Sequence, residues 1–239
     1  MIKSFFTIVG LLFSMNFSYA ASSDFPLKPV LIDLNNKASL QRGAQIFFNN
    51  CSGCHTLKYH RYSKFVKDLG LSEELIKENL ILTSTKGEKT KLGSVIVNSI
   101  NPDSIKEVFG VIPPDLTLTA RSRGPEWIYT FLTSFYEDNT RPMGVNNLLY
   151  PNVNMPHVLW YKEGLKGFDD DNILVEKVKG NLSQKEYEKE MTDLVNFLTY
   201  VSEPAQLERY SIGFWVMIFL VIFVFITYLL KIEYWRDIK

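Results

Sequence analysis

The chain has 239 residues, of which 46% are hydrophobic and 14% aromatic, and its 26 basic residues balance its 26 acidic ones. This composition is typical of a folded protein and excludes disordered and collagen-like chains. A neutral chain also lacks the basic surface that nucleic-acid binding needs, so no nucleic-acid partner is expected. The two cysteines, Cys51 and Cys54, are too few for a disulfide-dense scaffold, an iron–sulfur cluster or a four-cysteine zinc site.

Residues 1–20 have the pattern of a secretory signal. Lys3 precedes an apolar run from Phe5 to Phe17, and the small residues that follow predict cleavage after Ala20. An N-terminal membrane anchor is the alternative, but this run is shorter than the roughly 20 residues that a bilayer requires. A mitochondrial transit peptide would contain arginine, and this stretch has none. We therefore expect export through a bacterial inner membrane.

The C-terminal region predicts one transmembrane helix. Residues 212–230 are 19 consecutive uncharged residues, which in a helix span about 30 Å, the thickness of the hydrocarbon core. Trp215 and Tyr228 lie near its ends, as interfacial aromatic residues do, and basic residues follow the run, which places the tail in the cytoplasm. The predicted order is a signal peptide (1–20), an extracytoplasmic domain (21–209), a transmembrane helix (210–230) and a cytoplasmic tail (231–239).

Helical periodicity dominates the predicted extracytoplasmic domain, which predicts a mostly α fold. Apolar residues from Leu40 to Phe48 recur at helical spacing and predict an amphipathic helix that leads directly into Cys51. A second helix is predicted to open at Gly124-Pro125 and to continue on one apolar face to Tyr136. Strand-type alternation is weak along the domain.

A third helix is predicted from Ser183, which forms a capping box with Glu186, to the region of Glu203. The segments Asn98–Pro114 and Asn139–Pro156 are rich in proline, glycine and asparagine. We expect both to be long ordered loops, which in compact domains often carry function.

The sequence Cys51-Ser52-Gly53-Cys54-His55 is a CxxCH motif, the attachment signature of c-type haem. Two thiols one helical turn apart can each add to a vinyl group of the same porphyrin and form thioethers. His55 then follows in position to ligate the iron. A thioredoxin-like CxxC would need a βαβ context, and a structural disulfide between the two cysteines is the other alternative; both are less favoured than a haem site.

An electron-transferring haem needs a second axial ligand, and methionine is the usual partner of histidine. Met191 lies on the apolar stripe of the third predicted helix and is expected in the core. Met143 lies in a predicted turn, whereas Met155 precedes a proline that favours extended backbone. These arguments favour Met155 over Met143 but leave both open. His60 and His157 could also serve as ligands, although a surface position is expected for each.

The sequence resembles the cytochrome c1 family from about Arg42 to the C terminus. Four blocks occur in the family's order and carry the resemblance: RGAQIFFNNCSGCHTLKYHRYS, PPDLTLTARSRGPEWIYTFLTSFY, RPMGVNNLLYPNVNMPHVLW and YLLKIEYWRDIK. The resemblance implies one covalent haem c, thioether bonds at Cys51 and Cys54, and His55 and Met155 as metal ligands, because the family's MP dipeptide matches Met155-Pro156. It also implies a cytochrome c-like haem domain with long loops.

In the same family an arginine after the PPDL segment contacts a haem propionate. Arg121 and Arg123 both lie in the matching stretch, and Arg123 is the better match. The PPDL segment itself, Pro113–Leu116, is expected to shape the loop along the haem edge without a redox role. Short acidic runs at 169–171 and 186–190 are expected to be solvated faces, so the docking site of an acceptor stays open.

The resemblance implies a membrane-anchored electron-transfer subunit of the quinol–cytochrome c reductase complex, not an enzyme by itself. The implied partners are a cytochrome b, a Rieske iron–sulfur protein as electron donor and a soluble cytochrome c as acceptor, in a dimeric complex. Three alternatives remain: a haem subunit of a terminal oxidase or a free membrane-tethered shuttle, a haem gas sensor with an open iron position, and a structural anchor protein without haem.

Overall fold

The computed structural model describes residues 25–236, except residues 86 and 99. The predicted signal peptide (1–20) and the last three residues of the predicted tail lie outside the described residues. Helices account for most of the regular structure. Nine helices lie within the described part of the chain: α1 (Lys37–Asn50), α2 (Lys64–Leu69), α3 (Glu73–Asn79), α4 (Pro102–Phe109), α5 (Thr119–Arg123), α6 (Pro125–Leu132), α7 (Trp160–Glu163), α8 (Gln184–Ser202) and α9 (Gln206–Tyr234).

The strands in the described residues are short and form four two-stranded antiparallel sheets, which pair β1 with β4, β2 with β3, β5 with β6, and β7 with β8. This minority of strand confirms the predicted mostly α fold. The strands are β1 (Leu57–Arg61), β2 (Ser84–Thr85), β3 (Glu88–Lys89), β4 (Val95–Ile96), β5 (Phe135–Glu137), β6 (Val145–Asn147), β7 (Gly164–Phe168) and β8 (Leu174–Lys179).

The core is built on the crossing of α1 and α8. Both helices have N-caps that the sequence supplies: the Asn36 side chain accepts from the Ser39 N–H, and Ser183 forms the predicted capping box with Glu186. The two helices approach so closely at Gly43 that a Cβ there would lie 2.0 Å from the carbonyl oxygen of Asp193. Only glycine allows this approach, so the crossing fixes the direction in which α1 delivers the CxxCH motif.

A bidentate ion pair covers the same crossing. Arg42 Nε lies 2.6 Å from Asp193 Oδ2, and Arg42 Nη2 donates to Asp193 Oδ1 at 2.9 Å. The Asp193 side chain is only 7% exposed, and a planar guanidinium matches both carboxylate oxygens. Beneath the pair, apolar residues of both helices form the main cluster, which includes Ala44, Phe47 and Met191 at 0% exposure. The predicted core position of Met191 is therefore confirmed.

The extended segment before α1 is held on the domain by residues at the end of α6 and on α8. The Lys28 N–H donates to Thr130 Oγ1 at 2.8 Å, and Lys28 Nζ donates to the Thr133 carbonyl. Asn196 closes the other end, because its side chain accepts from the Asp33 N–H and donates to the Asp33 carbonyl. These bonds replace a sheet ladder for a segment that has no strand partner among the described residues.

The C-terminal helix α9 is long and apolar enough to cross a membrane over residues 208–234. From Glu208 to Tyr234 its residues other than Gly213 are exposed, whereas more than half of the residues of α8 are buried. Glu203 and Pro204 separate the two helices, as the sequence predicts. Lys67 of α2 forms an exposed ion pair with Glu208 at the start of α9.

Three sequence predictions about secondary structure differ from the structure. The second predicted helix ends at Leu132 and not at Tyr136, because Phe135 and Tyr136 pair with Asn147 and Asn146 of β6. The proposed loop Asn98–Pro114 contains α4, which is capped by an Asn101 side chain that accepts from the Asp103 N–H. Similarly, the proposed loop Asn139–Pro156 contains β6.

Candidate functional site

The CxxCH motif forms a tight turn at the C-terminal end of α1. The Cys51 N–H still bonds the Phe47 carbonyl, and the N–H groups of Cys54 and His55 both bond the Cys51 carbonyl, at 3.1 and 2.8 Å. This turn keeps both cysteines and His55 within five consecutive residues at the end of the helix. Both cysteines are free thiols and partly buried. Burial, and to a lesser extent the neighbouring Cys54, raises the pKa of Cys51 to about 12, so its thiol is protonated at neutral pH.

The His55 ring is oriented by the PPDL segment. His55 Nδ1 lies 2.8 Å from the carbonyl oxygen of Pro114, and since a carbonyl can only accept, Nδ1 carries the proton. Burial lowers the pKa of His55, although Pro114 and Asp115 partly offset this effect. The ring is therefore neutral at pH 7, with the lone pair on Nε2. A carbonyl partner on the other nitrogen is the usual device that orients a histidine ligand. The sequence predicts only that Pro114 shapes the loop along the haem edge, and it does not reveal this contact with His55.

Asp115 connects the PPDL segment to the residues that follow CxxCH. Its carboxylate accepts from Thr56 Oγ1 at 2.6 Å, from the Lys58 N–H at 2.8 Å and from the Thr117 N–H at 3.0 Å. Burial raises the pKa of Asp115, but these hydrogen bonds outweigh it, so the pKa is lowered overall. Asn98 adds a bond to the Cys54 carbonyl at 2.8 Å. We call residues 50–58 and 113–117 the histidine side of the site.

Met143 and Met155 belong to a second group of residues, 127–166, which we call the methionine side. Both methionines are partly buried and pack on one small apolar cluster formed by Phe135, Val145 and Val153. Met143 also lines a cavity of about 430 Å³ between the β5–β6 hairpin and β7, whereas Met155 does not. The described residues that line this cavity include none of the CxxCH motif.

Aromatic rings run along the methionine side from α6 to the loop after Met155. Trp127 stacks on Phe131 with ring centroids 5.3 Å apart, and Phe131 meets the edge of Phe135 at 5.2 Å. Phe135 in turn stacks parallel to His157 at 4.9 Å. The row gives the Met155 loop an apolar support that no helix of its own provides.

His157 is buried, which contradicts the expected surface position. Its side chain is 5% exposed, and its Nε2 lies 3.0 Å from Glu163 Oε2, whose side chain is 4% exposed. The other Glu163 oxygen pairs with Lys166. Burial raises the pKa of Glu163, but the contacts with His157 and Lys166 outweigh it and lower the pKa overall, so the carboxylate is ionised. We call His157, Glu163 and Lys166 the Glu163 cluster.

His60 is also buried, and the expected surface position is wrong here too. Its ring, 3% exposed, stacks on Phe65 at 4.9 Å and meets the edge of Tyr200 at 5.5 Å. Neither ring nitrogen has a hydrogen-bond partner in the described structure. This position lies within the main core, so His60 packs as an aromatic residue and not as a ligand.

The two candidate arginines point to different partners. Arg121 Nη1 lies 3.7 Å from Glu203 Oε1, beside the start of α9. Arg123 instead places its guanidinium over the Trp127 ring, 4.7 Å from the centroid. Arg123 therefore lies on the aromatic row of the methionine side, whereas Arg121 is engaged with the carboxylate between α8 and α9.

One hydrogen bond joins the two sides of the site directly. Tyr161 of α7 donates its hydroxyl to Asn50 Oδ1 at 2.8 Å, and Asn50 is the last residue of α1. Leu159, two residues earlier, belongs to the main core cluster on which Cys51 packs. The chain after Met155 is thus brought back to the end of α1.

The donor set fits a covalently attached haem. The turn supplies two free thiols for the vinyl groups, and a neutral imidazole whose Nδ1 is already occupied leaves Nε2 for iron. Met143 and Met155 are two partly buried methionines of the methionine side whose sulfur could ligate iron as well. Residues that hold a porphyrin in this way define a c-type cytochrome.

Comparison with known proteins gives the family. A model of the cytochrome c1 family matches residues 29–238, and the chain belongs to that family. Cytochrome c1 of Allochromatium vinosum is 45% identical over 89% of each chain. A Nitrosomonas europaea protein named ammonia monooxygenase gamma subunit is 37% identical over 98% of this chain and 97% of its own. A chain of a hyperthermophilic respiratory complex III covers 100% of this chain and 98% of its own, with a TM-score of 0.48 at 16% identity, too distant to bear on function.

Membership confirms several expectations from the sequence. The protein carries a covalently bound haem c and is an electron-transfer subunit, not an enzyme by itself. It is membrane-anchored, and α9 is the candidate membrane helix among the described residues.

Proposed function

We propose that the chain is the haem subunit of a quinol–cytochrome c reductase and passes single electrons from a Rieske iron–sulfur protein to a soluble cytochrome c. The observation that carries this proposal is the CxxCH turn with His55 Nδ1 held by Pro114, in a chain of the cytochrome c1 family. Haem c supplies the one-electron chemistry at its iron.

In this proposal each residue of the site has one task. Cys51 and Cys54 hold the group covalently at the end of α1, and His55 ligates the iron through Nε2 while Pro114 keeps its ring in one orientation. Met155 would be the second residue to ligate the iron, which would close it to small molecules and raise the reduction potential. The choice of Met155 over Met143 is supported by the family's MP dipeptide, which matches Met155-Pro156.

Arg123 is the proposed partner of a haem propionate. A guanidinium already packed on Trp127 loses little conformational freedom when it pairs with a carboxylate. Arg121 is the weaker candidate because Glu203 already compensates its charge.

We also propose the arrangement in the membrane. Residues 1–20 serve as an export signal, and α9 crosses the inner membrane with the haem domain on the periplasmic side. Lys231, Arg236 and Lys239 after the apolar run support a cytoplasmic tail. In the dimeric complex α9 packs on a cytochrome b subunit, which would cover the apolar side chains that it exposes.

Purification of the assembly in mild detergent, with identification of its subunits, tests the proposed partners. We expect b-type haems and a Rieske protein to co-purify. A terminal oxidase subunit or copper would contradict the proposal. Co-purification of other monooxygenase subunits would also contradict the proposal; the name of the Nitrosomonas relative makes this a specific alternative.

A substitution pair tests the axial ligand. Met155→Leu should lower the reduction potential, remove the methionine–iron charge-transfer band at roughly 695 nm and open the reduced protein to CO. Met143→Leu is the matched control and should change none of these. The reverse outcome would assign the ligand to Met143, and rapid CO binding by the unmodified protein would favour a gas sensor.

A further inference from the structure

The Glu163 cluster places buried charge directly behind the Met155 loop. Glu163 and His157 are 4% and 5% exposed at their side chains, and Lys166 is 19% exposed. Buried charges are costly unless they are paired, so a cluster of this kind is retained only where its geometry is needed or its removal leaves a charge unpaired.

His157 connects this cluster to Met155. Only Pro156 separates the two residues, and its ring restricts the backbone between them. The imidazole of His157 is held between two groups: the Phe135 ring lies parallel to one face at 4.9 Å, and Glu163 Oε2 lies 3.0 Å from Nε2. Phe135 is also a member of the small cluster on which Met155 packs. A shift of His157 therefore moves the backbone that carries Met155.

His157 and Glu163 face each other through Nε2 of the ring and Oε2 of the carboxylate. Nε2 and Oε2 are close, but neither atom has a well-aligned hydrogen bond in the described structure. No other described polar group satisfies Nε2, so the carboxylate is its only anchor. On the other side, Lys166 holds the carboxylate in place.

The backbone of α7 also joins His157 to Glu163. The Trp160 N–H bonds the His157 carbonyl at 3.1 Å, and Glu163 is the last residue of α7. A single short helix thus begins at the methionine loop and ends at the group that anchors it, so that the backbone and the ionic contact close one small loop.

We propose that Glu163 is a positioning residue that, through His157, holds Met155 where its thioether can ligate the haem iron. This inference rests on the proposed assignment of Met155 as the axial ligand. The stacking on Phe135 fixes the plane of the His157 ring, and Glu163 fixes how far the Met155 loop lies from β7.

The test is Glu163→Gln in the full chain, purified in detergent with its haem. Glutamine keeps the shape but removes the charge that faces His157 and Lys166. We expect covalent haem to be retained, the band at roughly 695 nm to weaken, the reduction potential to fall, and CO binding to the reduced protein to become about tenfold faster.

Glu190→Gln is the matched control. Glu190 also pairs with a lysine near α7, Lys162, but it has no described contact with His157. The control should keep the band, the potential and slow CO binding. If both variants lose thermal stability while the spectrum and CO binding stay as in the unmodified protein, Glu163 has only a structural role and the proposal is wrong.

Two further variants keep the outcomes distinct. Where Glu163→Gln yields no holoprotein, Glu163→Asp keeps the charge for Lys166 and shortens the reach to His157; it should produce the same changes to a smaller degree, and an unchanged spectrum would overturn the proposal. Met155→Leu is measured in parallel. Loss of the band there but not in the Glu163 variants overturns the positioning role alone, whereas retention of the band in Met155→Leu overturns the ligand assignment and the positioning role with it.

Discussion

The histidine side and the methionine side of the site are held in place by different means. The CxxCH turn is the direct continuation of α1, which is packed on α8 in the main core, so its position follows from the largest apolar cluster of the domain. The Met155 loop has three buried apolar residues beneath it and a group of buried charges behind it. Covalent attachment therefore depends on helix packing, whereas the second ligand depends on a few polar contacts and ring stacks.

This difference has a consequence for variants of the two sides. A change in the helix crossing should disturb both the attachment of haem to Cys51 and Cys54 and the ligation by His55, because all three residues follow the end of α1. A change on the methionine side should leave the thioether bonds intact and affect only the sixth ligand. The variants of Met155 and Glu163 change the methionine side, whereas the variants of Gly43, His60 and Asp115 change the core and the histidine side.

Gly43→Ala should have the largest effect. Its new Cβ would lie 2.0 Å from the Asp193 carbonyl oxygen and 2.6 Å from Phe197 Cβ, so α1 and α8 must separate. We expect the free energy of unfolding to fall by about 3 kcal/mol or more, with little covalent haem per chain, measured by haem staining of the denatured protein. Gly93→Ala, with nothing within 4 Å of the new Cβ, is the control and should behave as the unmodified protein. Normal haem content in Gly43→Ala would show that the crossing does not set the position of the motif.

His60 should make the core beside the histidine side sensitive to acid. Burial lowers its pKa to about 4, the Lys64 charge acts in the same direction, and Asp68 acts against it. The unfolded chain, with a histidine pKa near 6.5, therefore binds more protons between these values. The stability is present above pH 6.5 and decreases by about 3 kcal/mol as the pH falls toward 4.

The substitution His60→Phe checks this prediction. Phenylalanine keeps a ring against Phe65 and Tyr200 but cannot bind a proton. Urea unfolding of the holoprotein between pH 7.5 and 4.5 should show a flatter dependence on pH for the variant, with similar stability at pH 7.5. Equal slopes for both proteins would mean that His60 gains its proton at the same pH in the folded protein as in the unfolded chain, and the prediction would be wrong.

The features that the sequence predicted correctly are local. The helix before Cys51, the capping box at Ser183 and the apolar run of α9 each depend on residues within a few positions of one another, and each is present in the structure. The family resemblance, confirmed by comparison, rests on equally local blocks. The assignment of Met155 and the choice between Arg121 and Arg123 remain predictions.

The features that the sequence predicted wrongly depend on residues that are far apart in the chain. The second helix ends early because Phe135 pairs with Asn147, twelve residues away, and no glycine or proline at the end of the helix announces this. His60 and His157 are polar by type and were expected at the surface, but long-range partners bury them: Tyr200 on α8 for the first and Phe135 for the second. The role of Pro114 is a backbone carbonyl contact, which side-chain identity cannot reveal.

Two aspartates with three hydrogen bonds each allow the sharpest comparison of the two sides. Asp115 accepts from Thr56, Lys58 and Thr117, so two of its three bonds reach residues more than 50 positions away. Asp138, between β5 and β6, accepts twice from Thr140 and once from Asn146, all within eight positions. Asp115 thus joins separate parts of the histidine side, whereas Asp138 only closes a local turn on the methionine side.

Asp115→Ala should lower the free energy of unfolding by about 1–3 kcal/mol, because two backbone N–H groups lose their acceptor. Since hydrogen bonds lower the pKa of Asp115 below its ordinary value of 3.8, its contribution is present at neutral pH and is lost as the pH falls through the lowered pKa. The loosened Pro114 carbonyl should also broaden or shift the NMR signal of the His55 Nδ1 proton. Asp138→Ala should leave that signal unchanged and destabilise the protein less. If the two variants disturb His55 equally, the histidine side is not held by Asp115, and the contrast between long-range and local anchoring does not apply to this site.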